Sequence, residues 1–124
     1  MFSKTPAFSS FAVDDLAAAR SFYGDTLGLD ISDGPMGVLS LDLAGGHTTM
    51  IYPKPDFTPA TYTVLNFAVD DVDAAVEELG SRGVEFERYD GIDQDEKGIA
   101  RGEGPDIAWF KDPAGNILAV LKPD

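Results

Sequence analysis

The stretch Phe11-Ala12-Val13-Asp14-Asp15 returns as Phe67-Ala68-Val69-Asp70-Asp71, 56 positions further along, from 11 to 67. The residues after each copy decide whether structure repeats or only letters. After the first, Leu16, Ala19, Phe22 and Tyr23 fall at helical spacing and Leu27-Gly28-Leu29 closes the segment. After the second, Val72, Ala75, Val76 and Leu79 repeat that face and Arg82-Gly83-Val84 closes it. Each copy therefore predicts a strand, an amphipathic helix opened by an Asp pair, a Gly stop and a further strand. A carboxylate at the helix start accepts from free N–H groups and sits at the positive end of the helix dipole. Capping accounts for both Asp pairs without any metal or acid/base role.

Outward from the repeat, short strands are predicted at 29–32, 37–43 and 48–52 in the first half, and at 84–89, 106–111 and 116–121 in the second. Asp33-Gly34-Pro35 and Ala44-Gly45-Gly46-His47 read as turns. Asp112-Pro113-Ala114-Gly115 is a further turn, because Pro pre-sets one backbone angle and Gly accepts a positive φ. Pro53–Thr61, with Pro53, Pro55 and Pro59, is the linker. The expected class is α+β: two tandem βαβββ modules, about 5–55 and about 60–123, in a single domain over residues 1–124. That length is enough to bury a core without a metal or disulfide staple.

Composition removes many chemistries. Lys and Arg number 9 against 22 Asp and Glu, a net charge of −13, which opposes binding to nucleic acid or to an anionic membrane surface. There is no Cys, hence no disulfide, thiol nucleophile or Cys-ligated metal, and His47 is the only His. No signal peptide precedes the first strand and no apolar run approaches a membrane span, so a cytoplasmic protein is expected. The segment Asp90–Pro105 is Gly-rich and charged and reads as a solvated loop or a flap over a ligand site. Its acids at 90, 93 and 95 fail the calcium-loop pattern, which needs Gly at the sixth position and Glu at the twelfth. Asp73, Glu77 and Glu78 read as a solvated helix face, and Phe22, Tyr23 and Phe110 as core.

The elements Phe11-Ala-Val-Asp-Asp-Leu, Ser21-Phe22-Tyr23, Leu27-Gly28-Leu29 and Trp109-Phe110-Lys-Asp112-Pro113-Ala-Gly115-Asn116, in this order and in two modules, resemble the vicinal oxygen chelate superfamily. That superfamily includes glyoxalase I, bleomycin-resistance proteins, extradiol dioxygenases and fosfomycin-resistance enzymes. The resemblance implies two curled half-sheets around one ligand cavity, with chains often associating as homodimers. It also implies metal-ligand positions, which fall at Phe8, Ile51, Val64 and Ala119 in this chain, with Ile51 open to a slip of one residue onto Met50 or Tyr52. Phe8, Ile51, Val64 and Ala119 supply no nitrogen or oxygen donor of the kind a divalent metal requires, and Met50 and Tyr52 are not typical metal ligands. The resemblance thus carries the fold but not glyoxalase or dioxygenase chemistry, whose Lewis acid is the metal. No cofactor, no metal and no catalytic residue is expected.

Those four positions either line an apolar cavity or close a filled core. Ser10 and Asn66 lie beside the first-strand positions, with Thr49 and Ile117 beside the others. If the Asp112 turn closes a three-residue hairpin loop, Trp109 pairs with Ala119 and forms a stacking wall for a planar ligand. The expected ligand-binding set is Phe8, Ser10, Ile51, Val64, Asn66, Trp109 and Ala119. The negative field favours a neutral or cationic small molecule. The leading expectation is sequestration of such a molecule. A lyase or isomerase using displaced carboxylates and His47, or metal-free acid/base groups, and an interaction module with a filled core stand as alternatives.

Overall fold

The structure is a computed structural model that describes residues 1–102 and 104–123. The chain divides into two compact units, Met1–Thr58 and Pro59–Asp124. Among the described residues, no helix is long and apolar enough to cross a membrane.

In the first unit, β1 (Ser9–Val13), α1 (Leu16–Arg20), β2 (Asp30–Asp33), β3 (Leu39–Leu43) and β4 (His47–Pro53) follow in order. The sheet runs β1-β4-β3-β2, with β1 parallel to β4 and the other neighbours antiparallel. Asp15 caps α1, its carboxylate accepting from the Ala18 N–H at 3.1 Å. The helix does not stop at Arg20 but widens into a π-helical stretch over Ser21–Thr26, where the Leu27 N–H donates to the Phe22 carbonyl. That wide turn carries Tyr23 into the core, fully buried, with its ring 5.9 Å from Phe11 and 5.2 Å from Phe22. Phe11, Ile51 and Leu39 lie in one row of the ladder, so this row faces the helix.

The second unit holds β5 (Thr63–Ala68), α2 (Val72–Ser81), β6 (Ile107–Lys111) and β7 (Ile117–Leu121). Its sheet runs β5-β7-β6, with β5 parallel and β6 antiparallel to β7. Asp71 caps α2 as Asp15 caps α1, accepting from the Ala74 N–H at 3.1 Å. Alternation sorts β6 and β7 into two faces. Ala108, Phe110, Leu118 and Val120 are buried beneath α2 with Val72 and Val76, while Ile107, Trp109 and Ile117 point to the opposite, open face.

The predicted strand at 84–89 is corrected to a single bridge, Phe86 opposite Phe110, with the Glu87 N–H donating to the Trp109 carbonyl at 2.8 Å. The chain leaves the sheet there because Gln94 captures the next polar groups. Its amide oxygen accepts from the Tyr89 N–H at 2.8 Å and its amide nitrogen donates to the Glu87 and Gly98 carbonyls at 3.0 and 2.8 Å. The turn between β6 and β7 forms as its residues dictate. The Asp112 N–H donates to the Asn116 carbonyl, Gly115 takes φ +96°, and the buried Asp112 carboxylate accepts from the Asn116 N–H at 2.8 Å.

Candidate functional site

The β6–β7 turn sets the register that matters. Trp109 lies opposite Ala119, and Ala119 in turn lies opposite Asn66 of β5, so the three share a row on the open face. Ala119 is fully buried, Trp109 half-buried and Asn66 exposed. The β5 register shifts between Thr63 and Leu65, which leaves Val64 without a partner in the ladder while Thr63 takes the place opposite Ile117.

Trp109 and Ile92 border two depressions on this face. The larger, about 590 Å³, is lined by Gly91, Ile92, Asp93, Ala100, Arg101, Pro105, Ile107 and Trp109. The smaller, about 260 Å³, is lined by Thr61, Tyr62, Thr63, Tyr89, Ile92, Trp109 and Ile117. Tyr89 meets Trp109 nearly edge-on, with ring centroids 5.5 Å apart and planes at 75°. This edge-to-face contact fixes the two rings against each other where both line the smaller depression.

The rim of the larger depression is not the free flap its composition predicts. Residues 94–101 are pinned: Ile99 is fully buried, and Ala100 bridges both Gln94 and Ile107. The Asp95 carboxylate accepts from the Lys97 and Ile99 N–H groups at 2.9 Å each. Glu103, in the same predicted flap, lies outside the described residues. The α2 acids are not merely solvated either. Arg101 binds Asp73 at 2.8 Å, Asp95 at 3.1 Å and Asp106 at 3.0 Å, and Lys97 binds Glu77 at 2.8 Å. The one cation lining the larger depression is therefore matched by three carboxylates, and Asp93 adds a further negative charge.

In the first unit, Ser10 pairs with Met50 on the open face and Phe8 precedes β1, exposed at 67%. Ile51 is corrected: it pairs with Phe11 and Leu39 on the helix side and is fully buried, so it belongs to the core. Thr49 shares that side. The slip of one residue places Met50 on the open face instead. His47 opens β4, exposed, opposite Leu43.

A metal centre of the kind the superfamily uses does not fit these side chains. Phe8, Met50, Val64 and Ala119 bring no nitrogen or oxygen donor. Among the described residues, no group of three or more His, Cys, Asp or Glu is placed to hold a metal ion.

Residues 7–120 match the family model described as the Glyoxalase/Bleomycin resistance protein/Dioxygenase superfamily. The chain belongs to this superfamily. Its two mixed sheets are those of solved glyoxalase-superfamily structures. TnmS3, an antibiotic binding protein from Streptomyces sp. CB03234, is 26% identical, with 98% of each chain covered and a TM-score of 0.70. A glyoxalase/bleomycin resistance protein from the same strain is 27% identical, covering 94% of this chain and 100% of that one at a TM-score of 0.63. A glyoxalase family protein from Enterococcus faecalis shares the fold at 22% identity and a TM-score of 0.67, with 98% and 100% covered. No curated protein matches the chain.

Sequence reasoning missed Tyr89 and Ile92, which line these depressions, and Gln94, which holds the Tyr89 backbone in place. Tyr89 was hidden in an expected strand, and Ile92 and Gln94 in an expected flap. The odd hydrophobe Ile92 amid a charged loop was the available signal.

Proposed function

We propose that this member of the glyoxalase superfamily is a metal-free binding protein that sequesters a neutral or cationic, partly aromatic small molecule. The observation that carries the proposal is the pairing of Trp109 with Ala119 on the open face of β6 and β7. A large flat ring stands beside a methyl-sized neighbour, at the border of two depressions. An apolar cleft with few polar groups is the usual form of an organic-ligand site. The net charge of −13 and the neutralised Arg101 support a neutral or cationic ligand over an anion. The description of TnmS3 as antibiotic-binding supports a drug-like natural product as the ligand class. Asn66 and Val64 supply further contacts in the second unit, and Phe8 and Ser10 are the open-face candidates of the first. A cytoplasmic homodimer belongs to the same proposal, and light scattering measures its oligomeric state.

The test is a thermal-shift screen of protein purified without added metal, against divalent metals and a panel of planar aromatic amines, with elemental analysis alongside. Stabilisation by organic compounds that disappears in Trp109→Ala supports the proposal. Tightly bound stoichiometric metal sinks it.

A further inference from the structure

The Tyr89 hydroxyl is shielded from water and has no hydrogen-bond partner among the described residues. Such groups are rare in folded proteins and each calls for a cause. The residue is not displaced by slack packing. Its backbone N–H is held by Gln94, Gln94 is held by Glu87 and Gly98, and the Glu87 N–H donates to the Trp109 carbonyl. Its ring is locked edge-on against Trp109 and forms a wall of the smaller depression. The charges that act on it, Glu87 and Lys111, are engaged with each other at 3.3 Å.

We propose that Tyr89 is the specificity-determining residue of the site: a planar aromatic ligand entering at Trp109 displaces the side chains that cover the Tyr89 hydroxyl, which then donates to an acceptor on the ligand, such as a ring carbonyl. This rests on the ligand-binding reading given above. Burial, followed by the Glu87 charge, holds the phenol above its usual range, so at neutral pH the oxygen keeps its proton and donates. Stacking alone lets a flat molecule turn in its plane. A single fixed donor removes that freedom, and a ligand lacking the acceptor leaves the donor without a partner.

The test compares fluorenone with fluorene, planar tricycles that differ by one carbonyl, binding to the full chain and to Tyr89→Phe. Trp109 is the only Trp, so quenching of its fluorescence reports binding. The expected result is that wild type prefers fluorenone by about five- to thirtyfold. In Tyr89→Phe that ratio falls to one or below, because fluorene is the more hydrophobic. The unliganded variant melts no lower than wild type, since removing an unpartnered hydroxyl sacrifices no bond. A preference that persists in the variant overturns the inference. So does a variant that melts several degrees lower without ligand, which would show the hydroxyl already partnered. Equal binding of both compounds to wild type overturns the role of Tyr89 and leaves the cleft standing; no binding of either removes both.

Discussion

Trp109 and Ala119 face each other across the antiparallel β6–β7 ladder, with Ala119 fully buried and Trp109 half-buried at the border of both depressions. A larger side chain at Ala119 should push Trp109 out of its place. Ala119→Leu inserts three carbons into a fully buried position, which costs about 1–3 kcal/mol of stability by overpacking. It should also abolish binding of planar aromatic ligands. Removing the wall acts differently: Trp109→Ala should weaken such ligands by about thirtyfold or more while the fold persists. Urea unfolding separates the stability effects and calorimetric titration the affinities. A Trp109→Ala protein that binds as wild type does would refute the stacking role.

Gln94 is expected to behave as a structural staple despite its place in a charged loop. Its amide makes three hydrogen bonds to main chain, to Glu87, Tyr89 and Gly98, and the side chain is half-buried. Gln94→Leu keeps the volume and removes all three partners, leaving three main-chain groups to find water. The expected loss is about 1–3 kcal/mol, a Tm drop of roughly 5–10 °C in a chain of this size. Because Gln94 also fixes Tyr89 against Trp109, the variant should broaden ligand preference as well as melt earlier.

Ile99 distinguishes a free flap from a plugged one. It is fully buried, and its N–H donates to the Asp95 carboxylate at 2.9 Å. Ile99→Ala should cost about 2–5 kcal/mol, the range for deleting a core aliphatic side chain. Amide exchange at Ile99 should be slow in wild type and fast in the variant. Fast exchange in wild type would show that the segment opens on its own.

These variants also mark where the sequence was readable. The duplicated Phe-Ala-Val-Asp-Asp stretch announced both modules, because a capping Asp, a 3.6-residue stripe and a Gly stop are local features. Asp15 and Asp71 indeed cap at the same distance. The Asp112 turn is equally local, so the opposition of Trp109 and Ala119 could be counted from it. What escaped was non-local. Ile51 looks the same on either face of a strand, and only its pairing with Phe11 and Leu39 settles which face it takes. Residues 84–89 have strand composition, yet their hydrogen bonds go to Gln94 instead of a full ladder. The acids of α2 look solvated until Arg101 and Lys97 reach them from 20 or more positions away.

The Arg101 cluster should govern stability in acid. Hydrogen bonding from Arg101, with burial opposing and its charge assisting, holds the Asp73 carboxyl below its usual range. Burial pushes Asp95 upward but is outweighed by the Ile99 N–H, Arg101 and the Lys97 N–H, so it too lies low. Near pH 4 the unfolded chain therefore binds more protons at these sites than the folded chain, and stability rises with pH there. The contribution is complete above about pH 5, and is lost as pH falls through the ordinary carboxylate value of about 4 and on through the lowered folded values. Lys97 and Arg101 are both raised, first by hydrogen bonds to Glu77 and Asp73 respectively, so their contribution holds through neutral pH and fails only above the ordinary lysine range. Urea midpoints should thus be level from about pH 5 to 9 for this cluster and fall steeply below about pH 4. Arg101→Ala should flatten that acid limb and expose residues 94–101 to protease at neutral pH, because Asp73, Asp95 and Asp106 lose their shared cation and, among the described residues, only Asp73 keeps another, Lys97 at 3.5 Å. An acid limb of unchanged slope in Arg101→Ala would assign the acid sensitivity to other carboxylates.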